Sequence, residues 1–208
     1  MYRACPCDGS VAGFPARERG PARFSSRALS YTRVAYAREM TWSIRPADPG
    51  RYRVADVFQG LEDSYTLASL YPDDKERVAL LRETALIVSP EDLYGYVDDE
   101  DGAIYLGHDH LRNSDRLTVY LDILHELVHV KQLREGRDLY DKRCAYVDRP
   151  TEVEAYALVV EEARRMGMTE ETIADYLRVE WASPADHERL CRRLGVNPEG
   201  SRTSPPER

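Results

Sequence analysis

The pentapeptide His125-Glu126-Leu127-Val128-His129 constrains this chain more than any other feature. Two histidines four residues apart on a helix lie on one face, one turn above each other. They can grip one metal ion together only if the segment is helical, so the pentapeptide predicts a helix and a metal site at once. The glutamate between them sits about 100° round the helix, beside the metal, where its carboxylate can take a proton from a bound water. This donor set and spacing suit zinc.

The flanks support a long helix. Asn113, Ser114 and Asp115 offer N-caps, apolar positions recur at helical spacing from Leu117 to Leu133, and Gly136 suits a C-terminal stop. Leu117, Tyr120, Ile123, Leu124, Leu127, Val128 and Val130 cover most of the circumference away from the histidines, which predicts a core helix. The histidine face carries Thr118, Asp122 and Gln132 beside Leu121 and Leu133, and reads as the wall of a cleft.

A catalytic zinc takes three protein ligands and keeps a fourth position open. Extension of the first motif to a third histidine fails, because Gln132 and Glu135 stand where its glycine and histidine would be. The segment RPTEVEAYALVVEEARRMG offers a second helix, opened by Pro150 and Thr151 and closed by Gly167. Glu152 shares a stripe with Ala155, Tyr156, Val159, Ala163 and Met166, whereas Glu154 shares a solvated face with Glu161, Glu162 and Arg165. A carboxylate on an apolar stripe is costly to bury unless paired or metal-bound, so Glu152 is the expected third ligand. The other reading of Glu152 is a carboxylate favoured by a helix N-terminus. Cys144, between the two helices, could serve as a soft donor, but a buried or free thiol is the preferred reading.

With the two helices in hand, the chain resembles the gluzincin zinc metallopeptidases, especially the small ImmA/IrrE-type proteins. The resemblance rests on the HExxH helix and on Glu-x-Glu-Ala at 152–155, and covers roughly residues 86 to 167. It implies a helix-rich, minimal zincin-like α+β fold, with a small antiparallel or mixed sheet and an HExxH active-site helix. It also implies zinc held by His125, His129 and Glu152, with Glu126 as general base in peptide-bond hydrolysis. Tyr156 departs from the family, which usually has Asn or Asp there, so Asp122 or Asp148 is expected to take over as acceptor for a ligand histidine. Besides the metal, the oxyanion needs a donor, and Tyr156, Tyr146, His108 and His110 are candidates. Two alternatives stand beside the peptidase: a catalytically idle zinc-binding or regulatory protein, and a non-peptidase zinc amidohydrolase.

Upstream, Leu93 to Val97 and Ala103 to Leu106 are β-prone runs separated by the acidic turn Asp98-Asp99-Glu100-Asp101-Gly102, which predicts a hairpin. In gluzincins the strand before the active-site helix is a sheet edge that pairs with substrate. The resemblance therefore implies a peptide or protein substrate extended along strand 103–107 by β-augmentation. His108 and His110 then alternate in a loop, where they could form a second metal site.

Composition bounds the rest. Residues 1–39 carry seven arginines against three acids, or +4, so residues 40–208 carry −12 of the net −8. So acidic a remainder is a poor partner for nucleic acid. No run approaches a membrane span, and the four dispersed cysteines suggest a reducing, cytoplasmic setting. Residues 1–39, Arg-, Ser-, Ala- and Gly-rich, are expected to be a disordered extension, with translation beginning at Met40 as one account of them. Residues 40–197 should form one domain, and 198–208 a disordered tail. Helices are expected at 55–70 and 73–85, a short strand at 86–88, and two more helices over 169–181 and from Ser183-Pro184 to Gly195.

Overall fold

The computed structural model describes residues 41–197. The expectations for residues 1–39, for Met40 and for 198–208 fall outside the described residues. In chain order the elements are β1 (Ser43–Ile44), β2 (Gly50–Arg53), α1 (Val54–Val57), β3 (Phe58–Gln59), α2 (Tyr65–Leu70) and α3 (Asp74–Glu83). There follow β4 (Ala85–Ser89), β5 (Gly95–Val97), β6 (Ile104–Gly107), α4 (His108–Asn113) and α5 (Arg116–Arg134). The chain closes with α6 (Pro150–Arg165), α7 (Glu170–Tyr176) and α8 (Pro184–Arg193). The class is α+β and helix-rich. No helix among the described residues is long and apolar enough to cross a membrane.

The main sheet has the strand order β2-β4-β6-β5 and is mixed: β4 runs parallel to β6, and the other two pairings are antiparallel. A separate two-stranded pairing joins β1 to β3. The expected hairpin is present, with Gly102 at φ 69° closing the acidic turn and the Asp98 amide bonded to the Ala103 carbonyl at 2.9 Å. The edge assignment has to be corrected. Strand 104–107 is not an edge, because β4 pairs with one side of it and β5 with the other. The edge beside it is β5. The hairpin makes β5 and β6 neighbours through a short local turn; the pairing of β4 with the far side of β6 is non-local and leaves no mark in the hairpin's own sequence.

Expected helix 55–70 is also corrected. It breaks into α1, β3, a 3-10 turn at Leu61–Asp63 and α2. Gly60 sits at the break with φ 78°, and a Cβ there would lie 2.2 Å from the Thr41 carbonyl oxygen. Only glycine fits a left-handed residue pressed so closely against the backbone just before β1. Pairing of β3 with β1 overrides the helical pattern. The other helices fall near their expected positions, though α7 stops at Tyr176 rather than reaching Trp181.

α5 is the spine. Asp115 caps it by accepting from the Leu117 and Thr118 amides, and Gly136 at φ 75° ends it. Leu121, Ile123, Leu124 and Leu127 are fully buried, each stabilising by about 1.5–3 kcal/mol relative to exposure. α6, with Pro150 in its first turn, packs along α5. The two helices are tied to α2 by Glu162, which was expected on a solvated face. It is instead buried and accepts from the Thr66 amide at 2.9 Å and the Tyr120 hydroxyl at 3.0 Å. α2 covers that side of α6, which no pattern within α6 could reveal.

Candidate metal centre

His125 and His129 project from one face of α5, with their Nε2 atoms 2.9 Å apart. Glu152, in the first turn of α6, brings Oε2 to 3.3 Å from His125 Nε2 and 3.4 Å from His129 Nε2. Among the described residues, this is the cluster in which three such donor atoms come together. Three ligands at roughly 2.0–2.1 Å in a tetrahedral site stand about 3.3–3.4 Å from one another. The observed triangle has nearly those dimensions, and its donor chemistry, two imidazoles and a carboxylate, fits a divalent transition metal. The helical register of α6 is the expected one: Glu152 is buried against the histidines, while the Glu154 side chain is 45% exposed.

Burial and charge act against each other here. In the metal-free centre, burial disfavours charge on His129, but the Glu152 and Glu126 carboxylates outweigh it and raise the imidazole to about 9. Burial likewise opposes ionisation of Glu152, yet the two imidazoles hold its carboxyl well below the usual range. Glu126 behaves differently. Burial dominates and pushes its carboxyl up, with the two histidines opposing. Its Oε2 is buried without a hydrogen-bond partner. A Cβ added to Gly95 would meet Glu126 Cγ and Oε1 at 3.5 Å, so the glutamate lies directly against the edge strand β5.

The ligand histidines are supported unequally. His129 Nδ1 lies 2.7 Å from Gln132 Oε1, while Gln132 Nε2 donates to the Thr151 carbonyl and to Glu154 Oε2, both at 3.0 Å. Both partners of Nε2 can only accept, so the amide orientation is determined and Oε1 must face the histidine. Nδ1 is therefore the protonated nitrogen of neutral His129, and Nε2 is left for the metal. His125 Nδ1 is buried with no hydrogen-bond partner. Neither expected acceptor reaches it. Asp122 bonds His110 Nε2 at 2.8 Å and accepts from the Tyr176 hydroxyl at 3.0 Å, while Asp148 pairs with Arg189 and Arg193. These pairings depend on how α4, α7 and α8 dock, which is invisible in α5 alone. Gln132 was visible as a polar residue on the histidine face, one turn on from His129, and that position was the available signal for its role.

The remaining candidates sort by geometry. The Tyr156 ring packs on His125 at 4.4 Å between centroids, and its hydroxyl is 3.0 Å from that of Tyr146. Tyr156 is buried and Tyr146 half-buried, and desolvation raises both phenols, so they stay neutral. His108 and His110 are not in a loop; they open α4, because β6 runs straight into it. His110 is held between Asp122 and Ser114, whose hydroxyl is 2.8 Å from Nδ1, so both ring nitrogens are occupied and no second metal site forms with His108. His108 has Asp48 as its nearest carboxylate, at 3.9 Å. Cys144 is not among the three converging donors. One residue was missed outright: Tyr140, whose hydroxyl donates to the Val97 carbonyl of β5 and which feels the charge of Glu126. Nothing in the local sequence distinguishes that tyrosine from thirteen others.

Comparison of the chain with protein-family models, with curated proteins and with solved structures gives no match.

Proposed function

We propose that this protein is a zinc-dependent peptidase with a minimal zincin-like fold, cleaving an extended peptide bound along β5. The observation that carries the reading is the His125–His129–Glu152 triangle with the unpartnered Glu126 carboxylate beside it. A purely structural zinc site would be served by the ligands alone; a buried, uncommitted carboxylate next to them is expensive and suits a proton carrier. The resemblance to ImmA/IrrE-type metallopeptidases points the same way, on the HExxH and Glu-x-Glu-Ala residues.

Bound zinc would polarise the scissile carbonyl and acidify a water. The protein's own residues do the rest. Glu126 accepts the proton of the attacking water and delivers it to the leaving amine. Gln132 holds the His129 ring so that Nε2 faces the centre. Gly95 lets an extended substrate backbone approach Glu126, because any larger side chain would fill that space. Neutral Tyr146 and Tyr156, the latter packed by its ring on His125, are the candidate oxyanion donors. The acidic remainder of the chain favours a peptide over nucleic acid as the partner.

A second reading, a regulatory zinc protein without turnover, is favoured by one observation: His125, Glu126, His129 and Glu152 are each no more than 8% exposed. One experiment separates the two. The protein should bind about one zinc, and Glu126→Gln should keep that zinc while losing cleavage of unfolded casein by roughly 10²–10⁴-fold. Equal cleavage by the variant, or none by the wild type with zinc bound, removes the peptidase.

A further inference from the structure

The metal centre is closed, and the segment between α5 and α6, residues 135–149, closes it. Two tyrosines of this segment reach opposite walls. Tyr146 meets Tyr156 of α6, whose ring lies on His125. Tyr140 meets β5, donating its hydroxyl to the Val97 carbonyl. Leu139 is buried and anchors the stretch, while Tyr140 beside it is 39% exposed. A rigid backbone anchor with an exposed residue beside it describes a side chain that can leave without unfolding anything.

The carbonyl that Tyr140 occupies is a particular one. The Gly107 amide bonds to Tyr94 O and the Asp98 amide to Ala103 O, and Tyr96 sits opposite Tyr105. Residues 94, 96 and 98 thus direct their backbone groups at β6, so Gly95 and Val97 direct theirs away from it. A peptide adding to this edge would pair with Gly95 and Val97, and Gly95 lies against Glu126. The Val97 carbonyl is the acceptor such a peptide needs, and the Tyr140 phenol already holds it. Burial and the nearby carboxylates, Glu126 among them, raise the phenol, so it remains a donor across the physiological range.

We propose that Tyr140 is a substrate-displaced cap on the edge strand, occupying the Val97 carbonyl until the N–H of an extended peptide replaces it. This rests on the peptidase reading and places one competing donor on an acceptor that the substrate needs. Exchange of one donor for another keeps the Val97 carbonyl satisfied before and after, whereas an unfilled edge beside a peptidase centre would be open to any extended chain.

The test uses the zinc-loaded full chain, two probes and Tyr140→Phe, which removes the hydroxyl and keeps the ring. Acetohydroxamate reports on metal access alone; a tripeptide with a terminal hydroxamate must also lie along β5. The variant should bind the tripeptide probe about three- to tenfold more tightly, the range expected for one competing hydrogen bond, with acetohydroxamate unchanged. Tyr140→Ala should do at least as much. Unchanged or weakened tripeptide binding overturns the proposal, as does equal tightening of both probes, which would mean general opening rather than competition for Val97. Reduced turnover at unchanged KM in Tyr140→Phe would make the hydroxyl part of the chemistry and would also overturn it. Failure of both hydroxamates to bind the zinc-loaded wild type is a different result: it removes the peptidase reading, and the cap with it.

Discussion

His125 and His129 stand one turn apart on the same helix and present the same atom to the same point, yet their surroundings differ. His129 sits at the polar end of the centre, where Gln132, the Thr151 carbonyl, Glu154 and Arg137 form one connected set of bonds. His125 sits at the aromatic end, packed on Tyr156, with Nδ1 unpartnered. At the first end Gln132 marks Nδ1 as the nitrogen that keeps its proton once the ring is neutral and Nε2 faces the metal. At the second, orientation comes from packing, and the proton can occupy either nitrogen. The motif's spacing supplies two ligands; the residues behind them decide how well each is prepared.

The largest test of this contrast is removal of a ligand. His125→Ala, His129→Ala and Glu152→Ala should each abolish stoichiometric zinc, measured by metal content after dialysis; retention in any one would remove that residue from the centre. Next comes Gln132→Leu. It should weaken zinc binding by about 10–100-fold, the usual scale for loss of a partner behind a ligand histidine. An effect no larger than that of a neutral surface change would break the comparison.

The proton offers an intermediate test. His129 is raised to about 9 from the ordinary 6.5 in the metal-free centre. Its charged form therefore stabilises the metal-free protein fully below the unfolded value, and that contribution disappears as pH rises through the folded value. Zinc needs the neutral imidazole, so its affinity should climb over the same window. Competition titrations at several pH values check this, and a flat profile would contradict the coupling between His129 and Glu152.

Smaller effects follow. Glu154→Ala removes one of two acceptors from the Gln132 amide and leaves the Thr151 carbonyl, so zinc affinity should fall by about 0.5 kcal/mol, as for a half-exposed charged contact. On register alone Glu154 would be an inert surface residue; its bond to Gln132 is what makes any zinc effect expected. Tyr156→Phe should be smallest on zinc, since its hydroxyl meets Tyr146 rather than His125; stability should drop by about 1 kcal/mol in a denaturant melt. A large loss of zinc in Tyr156→Phe would show that the aromatic end orients its histidine after all.

What the sequence determined by itself is what depends on helical periodicity. The span of α5 and the shared face of His125 and His129 follow from a 3.6-residue repeat, as does the choice of Glu152 over Glu154 on α6; cap-forming residues at 113–115 and Gly136 bracket the helix, and the structure selects Asp115 among the three. Those relations hold within ten or so residues, whatever the rest of the chain does. Tertiary structure decided everything that two distant segments settle between them. β4 took the free side of β6 and made β5 the edge; α2 buried Glu162; α4 and α7 claimed Asp122; and Tyr140 found Val97 across the cleft. Each of these is a hydrogen bond or strand pairing between residues far apart in the chain. A donor or acceptor displays its capacity in the sequence but not its partner.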